Sequence, residues 1–496
     1  MPRNARRWLI AGSSTLLLIA AGLYLASFPA EAYVARQIRQ TYGDKVQIGD
    51  LKVRLLPSIR ISARNVVVPQ KQNDGLPPLI SIGQVSAQTN WIAALGRHVR
   101  QVRLQGLRIA VPPRRGGGLQ KESRQPEEFV ADRIIADGAV LQIFPKQTGK
   151  PPLDFDLYRL TIRGAGPDQP MSFETTMRNA KPPGDIHSTG KFGPWQFEDP
   201  AQTPVSGSYE FRDANLGVFK GISGTLSSVG SYDGVLDRIA VDGSTDTPDF
   251  ALRISGHPVH LTTKFQATVN GTDGNTYLHP VTGHFGGSTV IARGAITRDG
   301  AAKARTVSLD ATVDDGRLED MLRLALKSQN VMTGAVSFTS KIVIPPGDTD
   351  VAEKLRLDGS FTVAQAHFSK LNVQEKVNDL SHRGRGDPQR PDDDNVASNF
   401  RGQFRLDRGE MTFRSLHFDV PGVHVALNGT YGLLDQQLDL HGTATLQAKL
   451  SQTTTGWKSV LLKAVDPFFK KKNAGAVLPI HISGTSTSPH FGLGTL

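Results

Sequence analysis

From Trp8 to Phe28 the chain reads WLIAGSSTLLLIAAGLYLASF, a run without a charged residue, and Arg3, Arg6 and Arg7 precede it. A helix of about 21 residues is ~31 Å long, the thickness of a bilayer's hydrocarbon core. Trp8, Leu16, Leu17, Leu18, Ile19, Leu23, Leu25 and Phe28 are its anchoring side chains. Everything after residue 30 must then fold beside a membrane. The arginines of the 1–7 tail favour a cytoplasmic N-terminus, since the far flank mixes Glu31 with Arg36 and Arg39. A cleaved signal peptide is the rival, because Ala30-Glu31-Ala32 is a small-residue site. Signal cores run about 7 to 15 apolar residues, shorter than this run. A buried globular helix fits poorly with a terminal position behind three arginines.

Beyond the anchor the sequence carries turn formers and short alternating runs, with 50 Gly and 30 Pro in 496 residues. There is no Cys, which excludes a disulfide framework, a thiol nucleophile and a thiolate metal site. Residues 1–128 hold 19 Lys+Arg against 7 Asp+Glu, so the net charge of +11 is concentrated beside the anchor. Anionic head groups attract such a segment. No helix-turn-helix, zinc-finger or aromatic RNA-binding pattern accompanies it, so nucleic acid is not expected as a partner.

Ala30 to Thr41 reads as a short juxtamembrane helix. Val46, Ile48, Leu51, Val53 and Leu55 then alternate with polar residues, with one slip at Gly49-Asp50, the pattern of strand with a bulge or tight turn. Ile59 and Ile61, Val66 to Val68, and Val102 to Val111 continue in strand, and Trp91 to Leu95 forms a short apolar helix. Residues 112–127 are a linker too polar to bury a core. Strands follow at Phe129 to Phe144, Leu153 to Arg163, Met171 to Met177, Thr189 to Phe192 and Val205 to Phe211, separated by clusters such as Ala180 to Asp185. This spacing predicts an antiparallel meander. Asn270-Gly271 marks a hairpin. Leu318, Met321, Leu322 and Ala325 recur at helical spacing behind Asp314-Asp315, which predicts an amphipathic helix capped by that pair. Residues 381–398, SHRGRGDPQRPDDDNVAS, read as a flexible loop. In Trp457 to Lys472 an amphipathic helix ends at Phe468 and Phe469 followed by Lys470, Lys471 and Lys472. That end suits a membrane interface or, equally, a packed helix whose lysines answer its dipole.

Several of these phrases resemble the AsmA-like family of bacterial inner-membrane-anchored envelope proteins, related to bridge-like lipid-transfer proteins. Near the start the likeness rests on VQIGDLKVRLLPSIRISARNVVVP and WIAALGRHVRQVRLQGLRIAVP. In the centre it rests on Gly224 to Gly230, Asp242 to Phe250 and Gly271 to Val281, and at the end on KAVDPFFKK and PIHISGTSTSPHF. The resemblance implies a cytoplasmic tail (1–7), a transmembrane helix (8–28), an N-terminal AsmA-like region (30–111), the linker (112–127), a central β region (128–380), the loop (381–398) and a C-terminal domain (399–496). It implies the bacterial inner membrane as the location, the bulk of the chain in the periplasm, and a part in outer-membrane biogenesis.

The expected fold is mainly β: the transmembrane helix, then a long antiparallel sheet curled into a groove, with a few short amphipathic helices. Val53, Leu55, Ile59, Ile61, Leu104, Val425, Leu427, Leu438 and Leu440 are candidates to line it, the side each faces being left open. An apolar groove suits acyl chains at ~0.8 kcal/mol per buried methylene. Phospholipid or another acyl lipid is therefore the expected partner, along with the inner membrane and outer-membrane assembly components. The alternatives are a scaffold for outer-membrane protein assembly acting through strand edges, and, more weakly, an envelope hydrolase. No nucleophile elbow, phosphate loop or zinc-protease helix is present, so no catalytic residue, metal ligand or cofactor is assigned. His257 and His260 lie three apart, which on a strand sends them to opposite faces.

Overall fold

The computed structural model describes residues 30–111, 130–448, 476–485 and 488–493, apart from 37, 40–44, 71–74, 145–151, 167–168, 195, 197–198, 299–304, 327–331, 348, 370 and 388–395. The anchor Trp8 to Phe28, the linker 112–127 and the segment ending in Phe468 to Lys472 lie outside the described residues. The protein is mainly β with a few short helices. It divides into two compact units: Met1–Asp213 with Val229–Asp242 and Thr268–Asn275, and Ala214–Ser228 with Gly243–Ala267 and Thr276–Leu496.

In the first unit residues 30–36 and 38–39 are helical, and Glu31 Oε1 accepts the Val53 backbone N–H at 3.1 Å. Strands β1 (Gln47–Arg54), β2 (Ile59–Val68) and β3 (Ile80–Thr89) pair antiparallel. The alternation slip at Gly49-Asp50 is a bulge: the β1–β2 register shifts on both sides of Gly49, and Asp50 takes φ 42°. A Cβ on Gly49 would sit 2.9 Å from the Arg64 carbonyl. Helix α1 (Trp91–Leu95) starts where Asn90 Oδ1 accepts the Ala93 N–H at 2.8 Å. Strands β4 (His98–Val99), β5 (Gln101–Gln105) and β6 (Arg108–Val111) follow.

Next come β7 (Val130–Ile143), β8 (Leu153–Ala165), β9 (Met171–Ala180), β10 (Pro183–Phe192) and β11 (Pro204–Asn215). From β7 to β11 each strand pairs antiparallel with the next. The expected all-antiparallel meander fails at one place: β7 runs parallel to β4, β5 and β6. β7 begins beside β4 and ends beside β6. The cluster Ala180 to Asp185 is mostly strand, with Pro183 opposite Ala180 across a two-residue turn. Proline is tolerated there because it is the first residue of its strand.

Strands β12 (Ile222–Ser223), β13 (Thr225–Val235), β14 (Arg238–Leu252) and β15 (Val259–Val269) follow. The second unit continues with β16 (Thr276–Phe285), β17 (Ser288–Thr297), β18 (Thr306–Arg317), helix α2 (Leu318–Ala325), β19 (Met332–Ile344), β20 (Arg356–Phe368) and helix α3 (Leu371–Arg385). It closes with β21 (Ser398–Asp407), β22 (Glu410–Val420), β23 (Val423–Gly432), β24 (Gln437–Leu446), β25 (Ala476–Thr485) and β26 (Ser488–Leu493). From β16 onward each strand pairs antiparallel with its successor.

Two further expectations change. Asp314-Asp315 does not cap α2: Arg317 is the N-cap residue without a side-chain bond, and Asp315 (φ 54°) sits in a bulge where the β18–β19 register shifts. Residues 381–385, read as loop, are the last turn of α3, with Ser381 and His382 buried. Local propensity opposes helix there, and tertiary contact overrides it. Ser381 Oγ donates to the Pro421 carbonyl at 2.7 Å, and Gly384 lies so close to β23 that a Cβ would be 2.2 Å from Val423 Cγ2.

Candidate functional site

Cross-strand partners share a face of a sheet, so the register assigns every strand residue of the second unit to one of two sides. One row runs Val313, Phe338, Phe361, Gly402, Leu416, Leu427, Gly442, Ile480. The next on that side runs Ala292, Ala311, Ser340, Gly359, Phe404, Phe413, Gly429, Leu440, Ile482. Flanking rows carry Val336, Val363, Phe400, Phe418 and Val425, and Leu309, Ile342, Leu357, Leu406 and Leu438. This side is almost wholly apolar.

Glycines alternate with large side chains along these rows. Phe361 lies opposite Gly402, Phe404 opposite Gly359 and Leu440 opposite Gly429. A Cβ on Gly402 would be 2.9 Å from the Phe361 ring, so the ring lies over the bare backbone. Phe361 and Phe404 pack tilted at 6.1 Å between centroids, and Phe400 and Phe418 likewise at 4.9 Å. Towards one end α3 covers the face, where Val377 packs with Val396, Val420 and Val423 and the half-buried Leu380 joins them. Helix α2 covers another part, its Leu318, Met321 and Leu322 packing with Val336, Val363, Phe361 and Phe400, and the rings stay half-buried. Although the chain has 22 Phe, Phe285 is the one buried among the described residues.

The opposite side is charged. Arg293, Asp310, Lys341, Asp358 and Arg405 follow one another across consecutive strands with alternating sign, and all five are exposed. Such cross-strand pairs are stabilising and keep the face in water. Arg414 adds an ion pair to Asp358 at 3.4 Å.

The first unit is also two-sided. Val53, Ile61, Ala87, Val102, Ile134, Ile162 and Phe173 form one row, and Ala63, Val85, Leu104, Ala136 and Leu160 the next. The second row then turns hydroxylic, through Thr175, Ser188 and Tyr209. Ser188 Oγ donates to the Ser208 carbonyl at 2.9 Å and lies 2.7 Å from the Tyr232 hydroxyl. Burial pushes the Tyr232 phenol up, with the Ser188 hydrogen bond opposing.

Of the groove candidates, Val53, Ile61 and Leu104 share the apolar side of the first unit, and Ile59, opposite Thr89, joins them. Val425, Leu427, Leu438 and Leu440 share that of the second. Val53, Val425, Leu427 and Leu440 are buried, while Ile59, Ile61, Leu104 and Leu438 are half-buried. Leu55 falls outside: β1 ends at Arg54, and Leu55 leads into Leu56-Pro57. Sequence reading did not assign Phe338, Phe361, Phe404 and Phe413 to the groove, nor the glycines Gly402, Gly359 and Gly429 opposite the last three. The signal was Phe or Leu in one strand matched to Gly in the next, legible only with the register in hand. No family model, curated protein or solved structure matches the chain.

Proposed function

We propose that this chain is a periplasmic lipid-handling protein of the AsmA-like kind, held in the bacterial inner membrane by Trp8 to Phe28. Its curled sheet forms a groove that shelters phospholipid acyl chains. The observation that carries the reading is the one-sided sheet: row upon row of apolar side chains whose aromatic rings are only partly buried. A globular β protein buries its phenylalanines, because each fully buried ring is worth ~1.5–3 kcal/mol. A face left accessible at this scale is the mark of a surface meant for an apolar partner. Phospholipid fits because its tails need only such a surface and its head group can stay in water.

Helix α1 supports contact with a membrane. Trp91, Ile92 and Leu95 are exposed, at 45%, 81% and 86%, and Arg97 and Arg100 follow. Aromatic and aliphatic side chains beside arginines are what an interface between tails and head groups takes up. Catalysis is not part of the reading, because among the described residues no row named above presents convergent acid and base groups on the apolar side. A place in outer-membrane biogenesis is the role to which such a carrier belongs.

The test is purification of the full chain from native membranes in a mild detergent, followed by lipid extraction and mass spectrometry. Phospholipid at one or more equivalents per chain is expected, together with cross-linking of a photoactivatable acyl chain to a diazirine amino acid at Phe361 or Phe404. Recovery of lipid-free protein that cross-links no acyl chain at either site would overturn the proposal.

A further inference from the structure

On the charged side of the second unit, away from the apolar rows, Asp439, His441 and His481 bring their ligand atoms within 4.8 Å of one another. Asp439 and His441 stand two apart on β24, and His481 is the direct cross-strand partner of His441 on β25. Both histidine Nε2 atoms lie 2.9 Å from the same oxygen, Asp439 Oδ1. The two imidazoles stack at 4.3 Å between centroids and 9° between planes. We propose that these three residues form a binding site for a zinc-like divalent cation, with Asp439 Oδ1 and the Nε2 atoms of His441 and His481 as ligands and solvent completing the shell.

Donor set, spacing and rigidity support this. Two imidazoles and a carboxylate are ligands zinc takes at ~2.0–2.2 Å, and donors 2.9 Å apart need only small side-chain rotations to enclose such an ion. Ladder pairing fixes all three Cα positions, because residues two apart on a strand share a face and the third is opposite. The neighbours on that side are Asn428, Thr430, Thr443, Ser483 and His490, a set without a lysine or arginine to compete for the carboxylate. A hydrogen bond from His481 is the main influence holding the Asp439 carboxyl below its ordinary range; burial opposes it, and the charges of His441 and His481 add to it. An ion here would pin β24 to β25.

The test is isothermal titration of the metal-stripped full chain with Zn2+, with Cu2+ electron paramagnetic resonance as a second readout. Wild type is expected to bind one saturable equivalent, to show coupling from two imidazole nitrogens, and to gain thermal stability with Zn2+. Affinity should fall as pH drops through the imidazole range, because protons compete for the ligands. His441→Asn and His481→Asn should each weaken binding tenfold or more while melting like wild type in chelator. Asp439→Asn tests the third ligand separately, should a histidine variant fold poorly. Absence of a saturable equivalent in wild type, or unchanged affinity in the double histidine variant, would overturn the site.

Discussion

At the level of single residues, glycine sets how the apolar rows pack. Gly429 has φ 141°, and a Cβ there would lie 2.0 Å from the Asp439 carbonyl. It stands between Phe413 and Leu440 in its row. Gly429→Ala therefore adds backbone strain and displaces β24, at a cost of about 1–3 kcal/mol. Urea unfolding should show a lowered midpoint with an unchanged slope; an unchanged midpoint would mean that the ladder gives way without loss. Asn270-Gly271 illustrates how far single residues can be read from sequence. The hairpin is there, but Asn270 works through its side chain, which accepts the Thr272 N–H at 2.9 Å. Gly271 serves instead to approach the Leu236 carbonyl, 2.7 Å from where its Cβ would be. The turn residue was legible, and its contact was not, because that contact comes from the turn between β13 and β14, more than thirty positions away.

At the level of elements, strands were easier to read than helices. Alternation locates β7 and β8 to within a few residues, since a strand's pattern is repeated by every residue it contains. Helix α3 was missed over its whole length, its first part falling in the expected central β region and its last turn in the expected loop, because its seat is tertiary. Gln374 Oε1 accepts the Phe368 N–H at 2.8 Å, and its Nε2 donates to Asn378 Oδ1 and to the Val396 carbonyl, both at 2.9 Å. The same Asn378 oxygen accepts the Val396 N–H at 3.1 Å. Gln374, Asn378 and Val396 are all buried, so the network fastens the helix to the chain entering β21. Gln374→Leu keeps the bulk but strands the Phe368 N–H and the Val396 carbonyl, which costs about 1–3 kcal/mol for each group left without a partner. Hydrogen exchange should speed up in α3 and at Val396 and stay slow in β24 and β25. Uniform exchange across the unit would show that α3 is not a separate cover.

At the scale of the molecule, the division into an apolar and a charged side lets experiment separate carrying lipid from acting as a scaffold. A scaffold that works through strand edges is indifferent to Phe361, Phe404 and Phe413, while a carrier depends on them. Replacing the three by serine removes ring surface that is already half-exposed, so it should cost less stability than the ~3–5 kcal/mol expected for deleting a single fully buried ring. Acyl binding should suffer far more. If each ring covers two or three methylenes at ~0.8 kcal/mol apiece, the triple variant loses on the order of 5 kcal/mol of contact with a bound tail. Retained phospholipid should then fall to a small fraction of the wild-type level while the far-ultraviolet spectrum remains that of a β protein. Charge reversal of Asp358 on the other side makes the matched control. It places a lysine between Lys341 and Arg405 and should disturb stability in a salt-dependent way, leaving lipid content alone. Equal lipid content in the two variants would point to the edges rather than the face, and the carrier reading would fail.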